Sequence, residues 1–364
     1  MAITRIGNPA IANIREPNFR NIIINGDLSI AQRGTSTASI TGNGYHACDR
    51  FKNVISGLGT WTASQSTDVP TGQGFANSFK MDCTTADASP AAGDYNTLAQ
   101  IFEGQNLQYL KKGTSDAESL TLSFWVYATK TGTNICELYD IDNTRQISQA
   151  YTISSSNTWE KKTLTFAGDT TGTLDNDNGA SLQLNFWLAA GSDRSSGTLS
   201  TTWTSVTNAN RAVGQVNHAD NTSNNFYITG VQLEAGSVAS DFEFLPVDVN
   251  LRRCQRYYLR WQGDGSDQRA IANGMTVANN QSRIVVVYPV TLRGSPTVTE
   301  AALETLDSSK DVQAASLDAT IDPGINAVNL QMDADSGTPY TQHRPQSLRT
   351  SSSTSAFLAL SAEL

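Results

Sequence analysis

Residues 241–261, DFEFLPVDVNLRRCQRYYLRW, lie where one β-rich half of the chain gives way to another. Just before them, residues 225–236 read NFYITGVQLEAG, an apolar/polar alternation that puts one face of a strand on a core and the other in water. That is a closing strand. Pro246 then breaks the pattern, because it lacks a backbone donor and holds Leu245 extended. Beyond the break, Leu251, Cys254, Tyr257 and Tyr258 recur at three- and four-residue spacing behind Asp248 and Asn250, either of which can cap a helix. The spacing predicts a short helical connector over 247–262, between a β-domain over 21–246 and a second over 263–364.

Upstream of the connector, SLTLSFWVYA (119–128) and ASLQLNFWLA (180–189) are near-copies in pattern. Leu120, Leu122, Phe124 and Val126 share one face, and Leu182, Leu184, Phe186 and Leu188 share the equivalent face of the other. Two inward faces imply two sheets. Residues 22–27, 50–55, 79–83 and 159–168 read as further strands, enough for a jelly-roll sandwich of about eight to ten. The polar segment 198–225, with Trp203 and His218, reads as a long loop over one end, where binding commonly sits. Downstream, 269–278, 282–290, 296–299, 326–332 and 356–364 read as strands of a second, small β-sandwich. A core of about a hundred aliphatic-poor residues is marginal by itself, so contacts with neighbouring copies are expected.

Composition agrees with an all-β chain: 38% hydrophobic and 16% charged residues with 27 glycines describe a Ser/Thr/Asn-rich β-protein, not a helical bundle. A net charge of -9 disfavours nucleic acid, whose phosphates call for concentrated Lys and Arg. No window has the apolar length for membrane insertion, and no apolar segment for export opens the chain, so synthesis and assembly in a cytoplasm are expected. Cys48, Cys83, Cys136 and Cys254 are scattered without C-x-x-C spacing, which fits buried free thiols.

VQLEAGSVASDFEFLP (231–246), LRRCQRYYLR (251–260) and FLALSAEL (357–364), with NIIINGDLSIAQRGTS (21–36) and YHACDRF (45–51), resemble the carboxy-terminal part of bacteriophage tail-fibre and virion appendage proteins. In those proteins a jelly roll similar to carbohydrate-binding modules precedes a Cys-Gln-Arg-Tyr-Tyr segment and a small β-domain. The resemblance covers nearly everything after Phe19. It implies a non-enzymatic virion subunit, most simply a homotrimeric tail fibre that attaches to a host-surface glycan and is assembled in the host cytoplasm. A capsid fibre or decoration protein of the same virion, and a non-viral carbohydrate-binding module, are the alternatives. The leader 1–20 has two prolines and no sustained period, so it needs a partner surface. The resemblance implies docking on other virion proteins through Ile3, Ile6, Ile11 and Ile14; a strap around a neighbouring subunit is the competing reading.

No catalytic constellation is visible. His46, His218 and His343 are far apart without metal-ligand spacing, and no nucleophile elbow, P-loop or dinucleotide fingerprint is present. No cofactor is expected. Asp175 and Asp177, in the run DNDNG, have the oxygen-rich look of a calcium turn but lack the full loop spacing, and Asp140-Ile-Asp-Asn is weaker still. Sugar rings stack on aromatic faces, which makes the tryptophans the other candidates. Trp125 and Trp187 each follow an inward phenylalanine and so point outward, as a platform or a subunit seat. Trp61 and Trp203, in less regular segments, are the candidate glycan contacts, with a core role as the competing reading.

Overall fold

The computed structural model describes residues 19–266, 268–307, 312–334 and 340–364; the leader residues Ile3, Ile6, Ile11 and Ile14 lie outside them. The two near-copy segments form the strands Leu120–Ala128 and Ala180–Ala190, and they face each other across the core. Phe124 meets Phe186 edge-on with ring centres 5.1 Å apart, and meets Tyr151 in the same way at 5.2 Å. Leu122, Val126, Leu182 and Leu184 complete this layer and are fully buried. Each such side chain contributes about 1.5–3 kcal/mol relative to exposure.

One sheet has six strands, in the order Ser36–Ile40, Thr60–Ser66, Ser78–Thr85, Asn225–Ala235, Leu120–Ala128 and Glu160–Phe166. The other has seven: Thr204–Ser205, Arg145–Ile153, Gly132–Asp140, Ala180–Ala190, Tyr95–Glu103, Lys52–Ser56 and Gly44–Tyr45. Every pairing within them is antiparallel, and most neighbours come from distant parts of the chain. This is the expected all-β, jelly-roll sandwich. The isoleucine run at 22–24 is not one of its strands. Asn25 and Leu28 take positive φ of 63° and 57°, which folds the run into a turn across the end of the sandwich. There Ile22 N–H bonds the Leu233 carbonyl, while Ile24 N–H bonds the Gln100 side chain of the opposite sheet.

The helix at the connector spans Val247–Gln255 with Pro246 at its N-cap, so neither Asp248 nor Asn250 caps it. Asn250 lies inside the helix and is buried; it accepts from the Asn25 N–H and donates to Asp27 and Ser29. The Cys-Gln-Arg-Tyr-Tyr segment then clamps the two units together. Cys254 and Tyr257 pack with Ile24 and Ile30. Arg256 forks onto Glu103 at 2.8 and 2.6 Å, and the Tyr257 hydroxyl donates to the same carboxylate at 2.5 Å. Burial disfavours the Glu103 charge, but these donors outweigh it and hold the carboxyl below its usual range. Arg50 and Arg33 stack on the rings of Tyr257 and Tyr258 at 3.5 and 3.6 Å.

The connector ends earlier than 262, because Tyr258–Gln262 is already a strand of the second unit, paired with Phe357–Ser361. Thr297–Ala301 completes that three-stranded sheet. In place of a second sheet packed on it, the remaining strands close into a six-stranded barrel: Ala270–Thr276, Gln281–Val287, Ala327–Ala334, Val312–Ile321, Leu303–Asp307 and Pro345–Thr350. The sandwich expected for this unit thus has one of its layers rolled shut. Register slips at 270–272 and 317–319 supply the bend, and Gly274 lies so close to the Arg283 carbonyl that no side chain fits. Ile284, Leu330, Met332 and Leu348 fill the barrel and share one core with Leu358 and Leu360 of the small sheet.

Candidate functional site

Along Ala180–Ala190 the outward positions read Gln183, Asn185 and Trp187. Register places Tyr139 beside Gln183 and Glu137 beside Asn185 on one neighbouring strand, with Thr97 beside Trp187 on the other. Val54 continues the Thr97 row. The result is a groove of about 200 Å³ across the outer face of the seven-stranded sheet, bordered by Tyr95 and Arg211. Tyr95, Tyr139 and Gln183 are half-buried, whereas Asn185 and Trp187 form the floor.

A buried carboxylate organises this floor. Glu137 accepts both arms of Arg211 at 2.7 and 3.0 Å, the Asn185 amide at 3.0 Å and the Trp187 indole N–H at 3.2 Å. Burial disfavours the charge on Arg211, but the Glu137 carboxylate outweighs it and holds the guanidinium above its usual pKa. Arg211 also stands over the rings of Tyr139 and Trp187, at 4.9 and 5.4 Å. The lining is therefore electrically balanced: Asn185 and Trp187 are sealed with their polar groups bonded, and the half-buried Tyr95, Tyr139 and Gln183 are what the groove presents to a ligand.

The segment 192–218 forms the far wall and is tied down by side-chain and backbone groups of the sheet. Ser148 donates to the Arg211 carbonyl, and the Ile135 N–H donates to Gln215. His218 is fully buried against Phe226 and bonds Asn134 at 2.7 Å. Burial, with Lys130 nearby, lowers its pKa to about 3, so it is a neutral structural histidine.

The sequence candidates fall elsewhere. Trp61 is fully buried in the sandwich core and its indole N–H is taken by the Leu58 carbonyl, so it offers no face to a ligand. Trp203 is half-buried against the same core, donates to the Ala167 carbonyl and lies under the Lys112 ammonium. Asp175 and Asp177 are exposed and do not converge. Asp177 accepts from its own Gly179 N–H in a local turn, and Asp142 accepts from the Asp175 N–H. Among the described residues no three His, Cys, Asp or Glu side chains gather as metal ligands. The oxygen-rich nest around Asp140 holds the Lys112 ammonium, which also bonds Asp169 and the Gly172 carbonyl. All four cysteines are buried and free.

Sequence reading missed Tyr95, Tyr139, Gln183, Asn185 and Arg211. The signal for two of them was present, since Gln183 and Asn185 occupy the outward register of the strand whose inward register is Leu182, Leu184 and Phe186. Arg211 carried none, because it arrives from the long loop. A larger cavity of about 410 Å³ lies at the joint between the units, but of its charged groups Glu103 and Arg256 are bonded to each other and Arg253 donates to the Asn21 carbonyl and stands over Phe19.

Fold and groove together define an all-β protein, a jelly roll with a balanced aromatic groove on its larger sheet, followed by a small β-barrel. No sequence family and no curated protein matches the chain. Among solved structures, it is similar over 60% of its length to the enzymatically active domain of tailspike protein 4 from bacteriophage CBA120, at 15% identity and a TM-score of 0.31. That overlap spans 22% of the tailspike chain. A CBM4 structure is matched over 58% of this chain and 97% of its own, at 13% identity and a TM-score of 0.29. The family 11 carbohydrate-binding module of a Clostridium thermocellum cellulosomal cellulase is matched over 56% and 99%, at 14% identity and a TM-score of 0.26.

Proposed function

We propose that this chain binds glycans through the groove on its seven-stranded sheet and serves as a non-enzymatic appendage subunit of a bacteriophage particle. The observation that carries the binding reading is the groove lining, where the half-buried rings of Tyr95 and Tyr139 flank the Gln183 amide above a floor held by the Glu137–Arg211 pair. A hydroxylated ring has apolar faces and an edge of groups that donate and accept, and this lining complements both. The virion reading is supported by the Cys-Gln-Arg-Tyr-Tyr clamp and its place between jelly roll and barrel. Self-association is supported by Met275, Val285 and Val287 standing exposed on the barrel wall, and a homotrimer is the number that the resemblance implies. The leader 1–20 would then dock the subunit on other virion proteins.

Calorimetry with neutral β-linked oligosaccharides, xylohexaose and β-1,4-galactotriose among them, tests the binding reading. At least one should bind, and Tyr139→Ala, a change at a half-buried position, should weaken it by roughly tenfold. Absence of binding across the panel, or an unchanged affinity in the variant, overturns it. Antibody labelling of particles in electron micrographs tests the location, and unlabelled particles overturn that part.

A further inference from the structure

A second hollow lies on the outer face of the six-stranded sheet, on the side of the sandwich away from the groove. Alternation along Leu120–Ala128 turns Ser123 and Trp125 outward, and the register sets Lys161 directly beside Trp125. On the other neighbouring strand the ladder slips between Thr229 and Gln232. Gly230, in that slip, takes a φ of +59°, and a Cβ there would sit 2.5 Å from the Phe75 ring. The bulge and the missing side chain together bring Phe75 down onto the sheet. Phe75, Phe242 and Phe244 then pack as a trio, with ring centres 4.8–5.1 Å apart.

These groups enclose about 330 Å³, within the range of ligand pockets. Trp125 and Gly230 line it, as do the three phenylalanines, with Gln73, Lys161 and Asp241 contributing polar groups. Lys161 and Asp241 both border the hollow and are exposed at its rim, and neither side chain has an ion-pair partner among the described residues, the other included. An ammonium offers only donors, a carboxylate only acceptors, and an amide both. A protein surface seated here would trap that separated pair at some cost. Ring hydroxyls, which donate and accept at once, satisfy both without any net charge on the ligand.

We propose that this hollow is a second carbohydrate-binding site, which takes a neutral pyranose ring stacked on Trp125 with its hydroxyls shared between Lys161 and Asp241. The site stands apart from the groove reading, because the two occupy opposite sheets. A chain carrying both engages one polysaccharide, or two, from both sides of the sandwich.

The test uses the full chain labelled with 5-fluorotryptophan, its six tryptophan resonances assigned by single Trp→Phe substitutions. Cello-, xylo- and galacto-oligosaccharides are added up to about 10 mM. The Trp125 resonance should shift saturably with at least one of them, and should do so equally in Tyr139→Ala. Lys161→Ala, an exposed change that leaves the fold intact, should weaken that response by roughly tenfold or more, as expected for loss of one hydrogen bond to a charged group. A Trp125 resonance that no neutral oligosaccharide moves overturns the proposal. So does one that responds only to uronic-acid oligosaccharides, or one that moves only with protein concentration, which marks the hollow as a seat for a second copy. Failure of the groove reading shows separately, in the Trp187 resonance.

Discussion

Trp125 and Trp187 hold the same place in near-copy strands, each directly after an inward phenylalanine, and yet they meet different surroundings. Trp187 is 1% exposed, roofed by Ala212 and its neighbours and bonded to Glu137, whereas Trp125 is half-buried at the edge of an open hollow. The difference lies in what shares each face. On the seven-stranded sheet, Glu137, Gln146 and Ser148 also point outward, and Glu137 and Ser148 bond the segment 192–218 that covers them. On the six-stranded sheet the outward companions are mostly aromatic, with Tyr127, Tyr227 and Trp159 packed on one another at ring centres 5.0–6.2 Å apart, and the bonds from Thr229 to the Asn77 carbonyl and from Trp159 to Asp68 hold only the short segment that brings Phe75 onto the sheet. A face rich in polar outward residues gathers a broad third layer; a mostly aromatic one keeps a partial cover with a hollow beside it.

The sharpest way to break this contrast is to remove the carboxylate that holds the covering layer. Glu137→Ala leaves Arg211, Asn185 and Trp187 without their shared acceptor, and should cost on the order of 3–5 kcal/mol in chemical denaturation. A loss under about 1 kcal/mol would show that the layer is held by other means. Trp187→Ala should cost about 3–5 kcal/mol for the same buried side chain volume, while Trp125→Ala should stay within about 1 kcal/mol. Equal losses at the two positions would erase the comparison.

A third measurement sharpens it through pH. His218, where the covering segment ends against the sandwich core, has a folded pKa near 3 against an ordinary 6.5, so between those values only the unfolded chain binds its proton. Its contribution is present above pH 6.5 and is lost as pH falls through that window. Asp49, raised by burial to about 6 against the opposing pull of Arg33, acts in the opposite sense: it contributes below pH 3.8, and that contribution is lost as pH rises through 6. The two partly cancel in the native protein, so the readout is the difference from His218→Gln. The advantage of the native chain should shrink by about 1.4 kcal/mol per pH unit below 6.5. A constant difference from pH 7 to 4 would mean that the histidine is not sealed.

The smallest expected effect is none. Cys48 in a bend between strands, Cys83 and Cys136 on the two sheets and Cys254 in the connector helix are all buried and free, so a reductant should leave the melting temperature where it is. A drop of several degrees would reveal a disulfide, whose loss typically costs about 2–5 kcal/mol.

Sequence by itself determined the class and the inward faces. Leu122, Phe124, Leu182, Leu184 and Phe186 were legible as core because strand alternation is a local rule, and burial of one face follows wherever a second sheet is at hand. The break at Pro246 and the helix after it were legible for the same reason, since proline acts on its own backbone and its neighbour. Only tertiary structure decided which outward residues matter. Trp61 is sealed in the core while Tyr139 borders a groove, and nothing within either strand distinguishes them. The barrel closure and the arrival of Arg211 on Glu137 also lay beyond the sequence, as did Lys112 in the acidic nest. Each is a meeting of residues far apart in the chain, and it is set by register and loop path, which local pattern does not encode.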